Sequence, residues 1–463
     1  MVEQLTDLMK ALEAGSYNAA PGTLAQGSAL QVEDLSPVME NVTFDDSHIK
    51  LQRMLSSKDA KSTLIQFNRQ LDYGIFGGSA QFEGGIGEED TSNYVRAIVP
   101  MSYYSTTRRV SVAANMIAAF DGRKAEDRAA QDAAMKLSAD IEFDSFRGQS
   151  DFSNAGVFDG NPAAIAEMPN MRGVDSQIRE SDSLSNTQDL MFAEYGSDQT
   201  VIISVGGTLT QTNIEDASVK SAMQHGSADK LLLDPISLSA YNKIAFAKER
   251  IMLAGSPQEA SGANLRTQWT SSALVSLEPS RFLSGKTRPA RSRRGAPSAP
   301  ATVTPVAAAN AASVLEAGDY TYKATAVNER GESLETAAAA ATTVAAGEAV
   351  TVTIAPSAGA KHYNVYRSED GGDASTAKFI GRVKANGAAA TAFVDLGNRS
   401  PGSVTGFLLQ SSTMGMHQLA PYSRLKLAVS DLSLPEAHFR FLCLAAYQPR
   451  KNVLMENIDG QLA

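Results

Sequence analysis

The sequence predicts an α+β protein with an all-β module set between two parts of one mixed domain, and three observations predict it. A long amphipathic helical stretch spans residues 121–148, among shorter runs of strand character. Two strand-like stretches flank a Gly-rich centre between Leu64 and Val112. After Thr287 a Pro- and Arg-rich stretch leads into short alternating strands without helical pattern, and mixed character returns near residue 405.

Leu5, Leu8, Met9 and Leu12 recur at helical spacing opposite Glu3, Asp7, Lys10 and Glu13, so a short helix is expected as far as Gly15. With the weakly periodic stretch that follows, broken by Pro21, Gly27 and Pro37, it makes an arm over 1–60 that depends on neighbours for its structure. Residues 61–115 read as a long hairpin. One arm starts at Leu64; the other runs through Tyr94–Val99, Tyr103 and Tyr104 to Arg108–Val112, and Gly74, Gly77, Gly78, Gly84, Gly85 and Gly87 lie between them.

Within 116–150 the helix should be capped by Asp121, place Ala130, Ala134, Leu137 and Ile141 on one stripe and stop at Gly148. Such a helix of about 26 residues is a rod of roughly 40 Å. Residues 151–290 read as an α+β domain with strands at Thr200–Val205 and Lys230–Asp234 and helices at Ile214–Met223 and from Pro235 through Ala247. Arg288, Arg291, Arg293 and Arg294 stand among prolines and glycine, as a solvated basic hinge or as a contact for nucleic acid or an acidic neighbour. Within 291–404, Tyr320–Val327, Val350–Ile354 and His362–Arg367 are strands punctuated by Asn328-Glu329-Arg330-Gly331 and Asp370-Gly371-Gly372, which argues for a β-sandwich. Residues 405–463 return to strands at Leu419–Ala428 and Phe439–Tyr447, expected to rejoin the sheet against which the long helix packs.

Hydrophobic residues make up 43% and charged residues 20%, so the chain should fold rather than stay disordered. A net charge of -10 opposes a role that depends on neutralising many phosphates. The single cysteine, Cys443, sits in the apolar run Phe441–Tyr447 and reads as a core residue, with no intramolecular disulfide possible. The N-terminus lacks a basic segment followed by an apolar one, and no run of about 18 apolar residues occurs, so neither a signal peptide nor a membrane span is expected and the product should accumulate in the cytoplasm.

No catalytic, cofactor-binding or metal-binding residues are expected. His48, His225, His362, His417 and His438 are dispersed singly, without the spacing of metal ligands. Gly84-Gly85-Ile86-Gly87 is not followed by Lys-Ser or Lys-Thr and reads as a hairpin tip rather than a phosphate cradle. A glycosidase would need paired carboxylates in an aromatic-lined cleft; Asp140, Glu142 and Asp144 read as the end of a helix where Asp140 and Asp144 share a solvated face, and Trp269 is the only tryptophan.

The order of arm, Gly-centred hairpin, long helix, α+β domain and returning strands resembles the Hong Kong 97-type capsid proteins of tailed phages. The residues that carry the resemblance are Phe82-Glu83-Gly84-Gly85, Val110-Ser111-Val112, Asp140-Ile141-Glu142-Phe143 before Gly148, Pro449-Arg450-Lys451-Asn452-Val453 and Glu456-Asn457-Ile458. It covers all but residues 296 to about 404, where Tyr320–Ser333 and Tyr363–Ser368 resemble fibronectin type III-like and bacterial immunoglobulin-like modules. The first resemblance implies an N-terminal arm, extended loop, spine helix and axial domain, and the second an inserted immunoglobulin-like sandwich. Together they imply a non-enzymatic shell protein that partners itself in pentamers and hexamers, along with portal, scaffolding and cement or decoration proteins. Such a protein encloses DNA without sequence-specific binding, contacts no membrane, and is found in the virion after assembly in the host cytoplasm. Assembly contacts are expected at Ile75, Phe76 and Phe82, apolar residues that the hairpin would bury against neighbours. Some members crosslink a loop lysine; Lys58 and Lys61 precede the hairpin instead, so this chemistry is not carried over. The alternative is a tail, baseplate or adhesin protein that uses the sandwich to bind surfaces.

Overall fold

The computed structural model describes residues 45–70, 80–87, 94–116, 124–148, 171–184, 200–248, 266–284, 296–328, 332–429 and 431–460, with isolated residues between 73 and 92. The helix expected near Leu5, the Asp121 cap, the arginines of the hinge, Ile75 and Phe76 lie outside them.

In chain order, the described α-helices and strands start with α1 (Leu51–Met54), β1 (Ser56–Asp59), β2 (Leu64–Gln70), β3 (Tyr94–Pro100), β4 (Ser102–Ser111), α2 (Val112–Met116) and α3 (Ala125–Arg147). It continues through α4 (Val174–Leu184), β5 (Ile202–Gly207), α5 (Gln211–Met223), β6 (Lys230–Leu233), α6 (Pro235–Lys248), β7 (Thr267–Trp269) and β8 (Leu274–Pro279). Strands β9 (Val303–Ala309), β10 (Gly318–Tyr320), β11 (Tyr322–Val327), β12 (Thr342–Val344), β13 (Glu348–Ile354), β14 (His362–Arg367), β15 (Lys378–Lys384) and β16 (Thr391–Asp395) follow. The last four are β17 (Val404–Leu409), β18 (Met414–Lys426), β19 (Ser433–Ala446) and β20 (Val453–Ile458).

Two sheets share the main core. One has the order β1-β18-β19-β4 and the other β5-β20-β17-β6-β8-β7. Helix α3 lies on β4 and β19. It contributes Ile141 and Phe146 to a continuous core with Met171, Ile214, Leu231, Leu442 and Leu454, and Phe146 meets Phe407 at 5.5 Å between ring centroids.

Helix α3 runs 23 residues, about 35 Å. Its buried stripe is Ala133, Leu137 and Ile141, one helical turn apart each time; Ala130 and Ala134 are half-buried rather than core. Glu126 and Asp127 in the first turn and Arg147 in the last oppose the helix dipole favourably. The helix ends at Gly148, where only glycine fits: a Cβ there would lie 2.0 Å from the carbonyl oxygen of Met171.

The expected long hairpin is two structures. β2 pairs with β3 from Leu64↔Pro100 to Gln70↔Tyr94, whereas β4 leaves that ribbon and pairs with β19. The break falls at Met101, whose buried side chain joins Val99, Cys443 and Ala445 in a separate small core. The face expected to be solvated is half-buried at both Asp140 and Asp144. Glu142 is fully buried and accepts from the backbone N–H groups of Lys50 (2.9 Å), Leu51 (2.6 Å) and Gln52 (3.1 Å), while Asp144 accepts from the Tyr104 hydroxyl at 2.7 Å. The first N–H groups of α1 have no intrahelical partner, and Glu142 supplies one from the long helix. Burial nevertheless pushes its carboxyl above the usual range, against the pull of those three donors.

Between β8 and β17, two three-stranded antiparallel sheets, β11-β14-β15 and β16-β13-β9, enclose a second core of Tyr322, Val350, Val352, Ile354, Tyr363, Val365 and Phe393. Asp395 is buried beside Arg367 (2.6 Å) and also accepts from the Tyr322 hydroxyl (3.0 Å), so its charge is paired and hydrogen-bonded. β8 runs parallel to β6 and β17 runs antiparallel to it. The chain therefore leaves and re-enters the six-stranded sheet at one end, two strand spacings or about 10 Å apart.

Replacing Glu142 with Ala should strand three backbone donors. We expect a loss of about 2–3 kcal/mol in denaturant titration, with faster exchange at the Leu51 and Gln52 amides first. Cys443 is buried, and burial pushes its thiol up to about 12. Ellman's reagent should accordingly leave it unlabelled in the native chain at mildly alkaline pH and label it fully in denaturant.

Candidate assembly surface

Successive residues of a strand face opposite ways, so the four-stranded sheet has two faces to cover. Tyr104, His438 and Leu442 point toward the α3 side: Tyr104 bonds Asp144 of α3, and Tyr422, stacked on His438, donates to the carbonyl of Ala130 at 3.0 Å. The other face is divided. One half is covered by the root of the β2–β3 ribbon, where Ile65, Phe67, Val99 and Met101 pack on Cys443, Ala445 and Tyr447.

Tyr447 is the hub of that root. Phe67 meets its ring edge-on at 5.2 Å, and Arg69 of β2 donates to the carbonyls of Tyr447 and Ala446, both at 2.8 Å. Lys58 of β1 donates to the Tyr447 hydroxyl at 3.1 Å and lies over its ring, and His417 Nε2 sits 2.8 Å from the same hydroxyl. Burial, with the Lys58 charge second, holds the His417 imidazole below its ordinary value.

The other half of this face carries a row of aromatic rings. Tyr103 pairs in register with Phe441 and meets it edge-on at 5.0 Å, and Phe439 stacks on Phe441 at 5.0 Å. Tyr103 is 56% exposed and Leu425, across from Ala437, is 55% exposed. Sequence reasoning did not single these residues out. The available signal was the alternation in 102–111, which places Tyr103 and Tyr104 on opposite faces.

Of the three residues expected to make contacts, Phe82 is within the described structure. It opens a tight turn in which Gly85 donates to its carbonyl at 2.9 Å and Gly84 adopts φ +85°, a conformation that favours glycine. Phe82 is 96% exposed and Ile86 92%. The turn thus holds two large apolar side chains in water, which points to burial elsewhere.

Among the described residues no group of three or more His, Cys, Asp and Glu is placed to hold a metal. His417 and His438 each contact a tyrosine hydroxyl, and His48 lies 2.7 Å from Asp45. A cavity of about 200 Å³ between the second core and the six-stranded sheet is lined by Arg147, Lys378, Arg399, Ser403, Glu456 and Asn457. Arg399 lies 3.5 Å from Asp175, Lys378 lies 3.0 Å from Glu369, and Glu456 is paired with Arg179, so these charges serve as structural ties. Trp269 is exposed on the edge strand β7.

No family model matches the chain. It is 22% identical over 470 residues to the major capsid protein of Staphylococcus phage S25-3 and equally to that of Staphylococcus phage K, covering 98% of this chain and 95% of each of those. The putative major capsid protein of Enterococcus phage phiEF24C is 23% identical over 485 residues, covering 98% of this chain and 96% of that protein. Among solved structures, the capsid of the native GTA particle aligns with a TM-score of 0.47 at 10% identity, covering 96% of this chain and all of that one. The capsid of Myoviridae phage XM1 aligns with a TM-score of 0.41 at 10% identity, over 92% and 96%. Over nearly its whole length, this chain is a homologue of phage major capsid proteins.

Proposed function

We infer that the chain is the major capsid protein of a tailed phage, a structural subunit that self-assembles into the icosahedral head enclosing double-stranded DNA. The observation that carries this reading is similarity to major capsid proteins across 98% of the chain. A tail or adhesin role, suggested by the all-β segment alone, does not account for similarity that runs through the arm, the hairpin, the long helix and the C-terminal strands as well. In this reading residues 1–60 are the N-terminal arm, 61–115 the extended loop, 116–150 the spine helix and 151–290 the axial-type domain. Residues 291–404 are the hinge and an inserted immunoglobulin-like sandwich, and 405–463 complete the capsid core.

A shell sums many modest contacts between identical copies. The Phe82 turn and the Tyr103–Phe441–Phe439 row are the apolar surfaces that suit such contacts, and Ile75 and Phe76 are expected to act with Phe82. Pentamers and hexamers would be the lattice units, with portal, scaffolding and cement or decoration proteins as further partners. The acidic net charge fits a wall that encloses DNA without holding it. Assembly in the host cytoplasm and residence in the virion follow from this role.

Electron microscopy of the purified or coexpressed chain should show shells, rings or sheets; a chain that stays strictly monomeric under all conditions contradicts the reading. Phe82→Ser should leave the unassembled chain's stability within about 0.5 kcal/mol of wild type. Each contact a buried Phe82 ring makes in the shell is worth about 1.5–3 kcal/mol, so assembly of that variant should need a clearly higher protein concentration. Deleting 296–404 and joining the ends with a short Gly-Ser linker should leave a folded chain that still assembles, because β8 and β17, the strands on either side of the segment, lie two strand spacings apart in one sheet. Loss of folding after that deletion would show that the sandwich is integral to the main core.

A further inference from the structure

Asn386-Gly387 is the only Asn-Gly pair in the chain. It stands in the loop between β15 and β16, where the chain crosses from one three-stranded sheet to the other, and both residues are exposed. The Ala389 N–H donates to the Asn386 carbonyl at 3.1 Å, the Asn386 N–H donates to the Thr391 hydroxyl at 3.0 Å, and Gly387 adopts φ +60°. Among the described residues, no group accepts the Gly387 N–H and none bonds the Asn386 side-chain amide. The space around the pair is open, since a Cβ built on Gly387 would meet nothing within 4 Å. Other asparagines differ on both counts. Asn364 is held by Glu332 and Arg382, Asn452 by Thr413 and Gln448, and Asn457 by Ser204, and each is followed by a β-branched residue.

We propose that Asn386 is a self-modifying site, at which the Gly387 nitrogen attacks the Asn386 side-chain amide and converts the asparagine to aspartate and isoaspartate. The step needs only water and base. The Gly387 nitrogen gives its proton to solvent base and bonds Asn386 Cγ; the Cγ–Nδ2 bond breaks, and the side-chain nitrogen takes up a proton and leaves as ammonia. Water then opens the cyclic imide. Opened at the former side-chain carbonyl it gives aspartate; opened at the main-chain carbonyl it gives isoaspartate, whose backbone runs through Cγ. Glycine matters twice, because it has no Cβ to obstruct the approach to Cγ and because its backbone turns freely into it. Either product adds a carboxylate to the loop, and isoaspartate also takes the carbonyl bonded by Ala389 out of the main chain. Asp370-Gly371 is the internal contrast: Asp370 Oδ1 accepts from the Gly371 N–H at 2.8 Å and from the Asp319 N–H at 3.1 Å, so its reacting groups are engaged. The site belongs to the single chain and does not rest on the assembly role.

The test is peptide mapping by mass spectrometry of the full native chain, held at neutral and at mildly alkaline pH beside a synthetic peptide of residues 384–391. The segment containing Asn386 should gain the mass difference between OH and NH2 and separate into two isomers. Its rate should lie within roughly tenfold of the free peptide's, as an exposed loop allows. Raising the pH by about one unit should speed it roughly tenfold, because the attacking nitrogen must first lose its proton. Gly387→Ala should slow conversion at least roughly tenfold, and Asn386→Gln, whose ring would be larger, should keep its amide over the same period. Asn364, Asn452 and Asn457 should stay unconverted. An Asn386 that survives in the native chain while the peptide converts, or a rate unchanged in Gly387→Ala, overturns the site.

Discussion

The structure depends on the β18–β19 ribbon, a long antiparallel pair with two faces and too little chain of its own to cover either. Its register runs from Met414↔Ala446 to Lys426↔Glu436, and β19 continues outward to β4. Apolar residues on both faces must leave water, so every other element near it is placed by that need. Helix α3 covers one face. The root of the β2–β3 ribbon covers half of the other, and the aromatic row occupies what is left.

The same logic explains how a chain segment with little regular structure is held. Residues 45–60 form a short 3-10 turn at Asp46–His48, one turn of α-helix and a four-residue strand, yet Glu142 captures three of their N–H groups and β18 takes β1 in parallel. Backbone polar groups left bare in a buried setting are costly, so the carboxylate of the long helix acts as a missing turn of helix for its neighbour. Two distant parts of the sequence thereby meet on one side chain.

The elements that were legible in the sequence are those whose signal is local. The α3 stripe at Leu137 and Ile141 repeats every helical turn, and the strands Tyr322–Val327 and His362–Arg367 announce themselves by alternation and by the Gly-rich turn that closes the second. Where two local signals adjoin they merge into one: β3 and β4 are both strand-like, and only Met101 separates them. Burial of Glu142 was illegible because its partners lie near residue 51, and the aromatic row was illegible because Tyr103 meets Phe441 only through pairing across most of the chain. The Phe82 turn was readable from Gly84 and Gly85, since nothing but the local backbone determines it.

One feature at the base of the second core acts mechanically. On the C-terminal side, Arg367 grips the carbonyl of Arg399, whose own side chain reaches Asp175 of α4; Asp175 binds Arg179, and Arg179 binds Glu456 of β20. Ser400 and Ser403 are fastened to Asn457 of the same strand. A pull on the two three-stranded sheets is thus passed through this stem into the six-stranded sheet along a series of polar links. The module is a lever with its fulcrum at Arg399, and a force applied at its far end is felt as torque on β20.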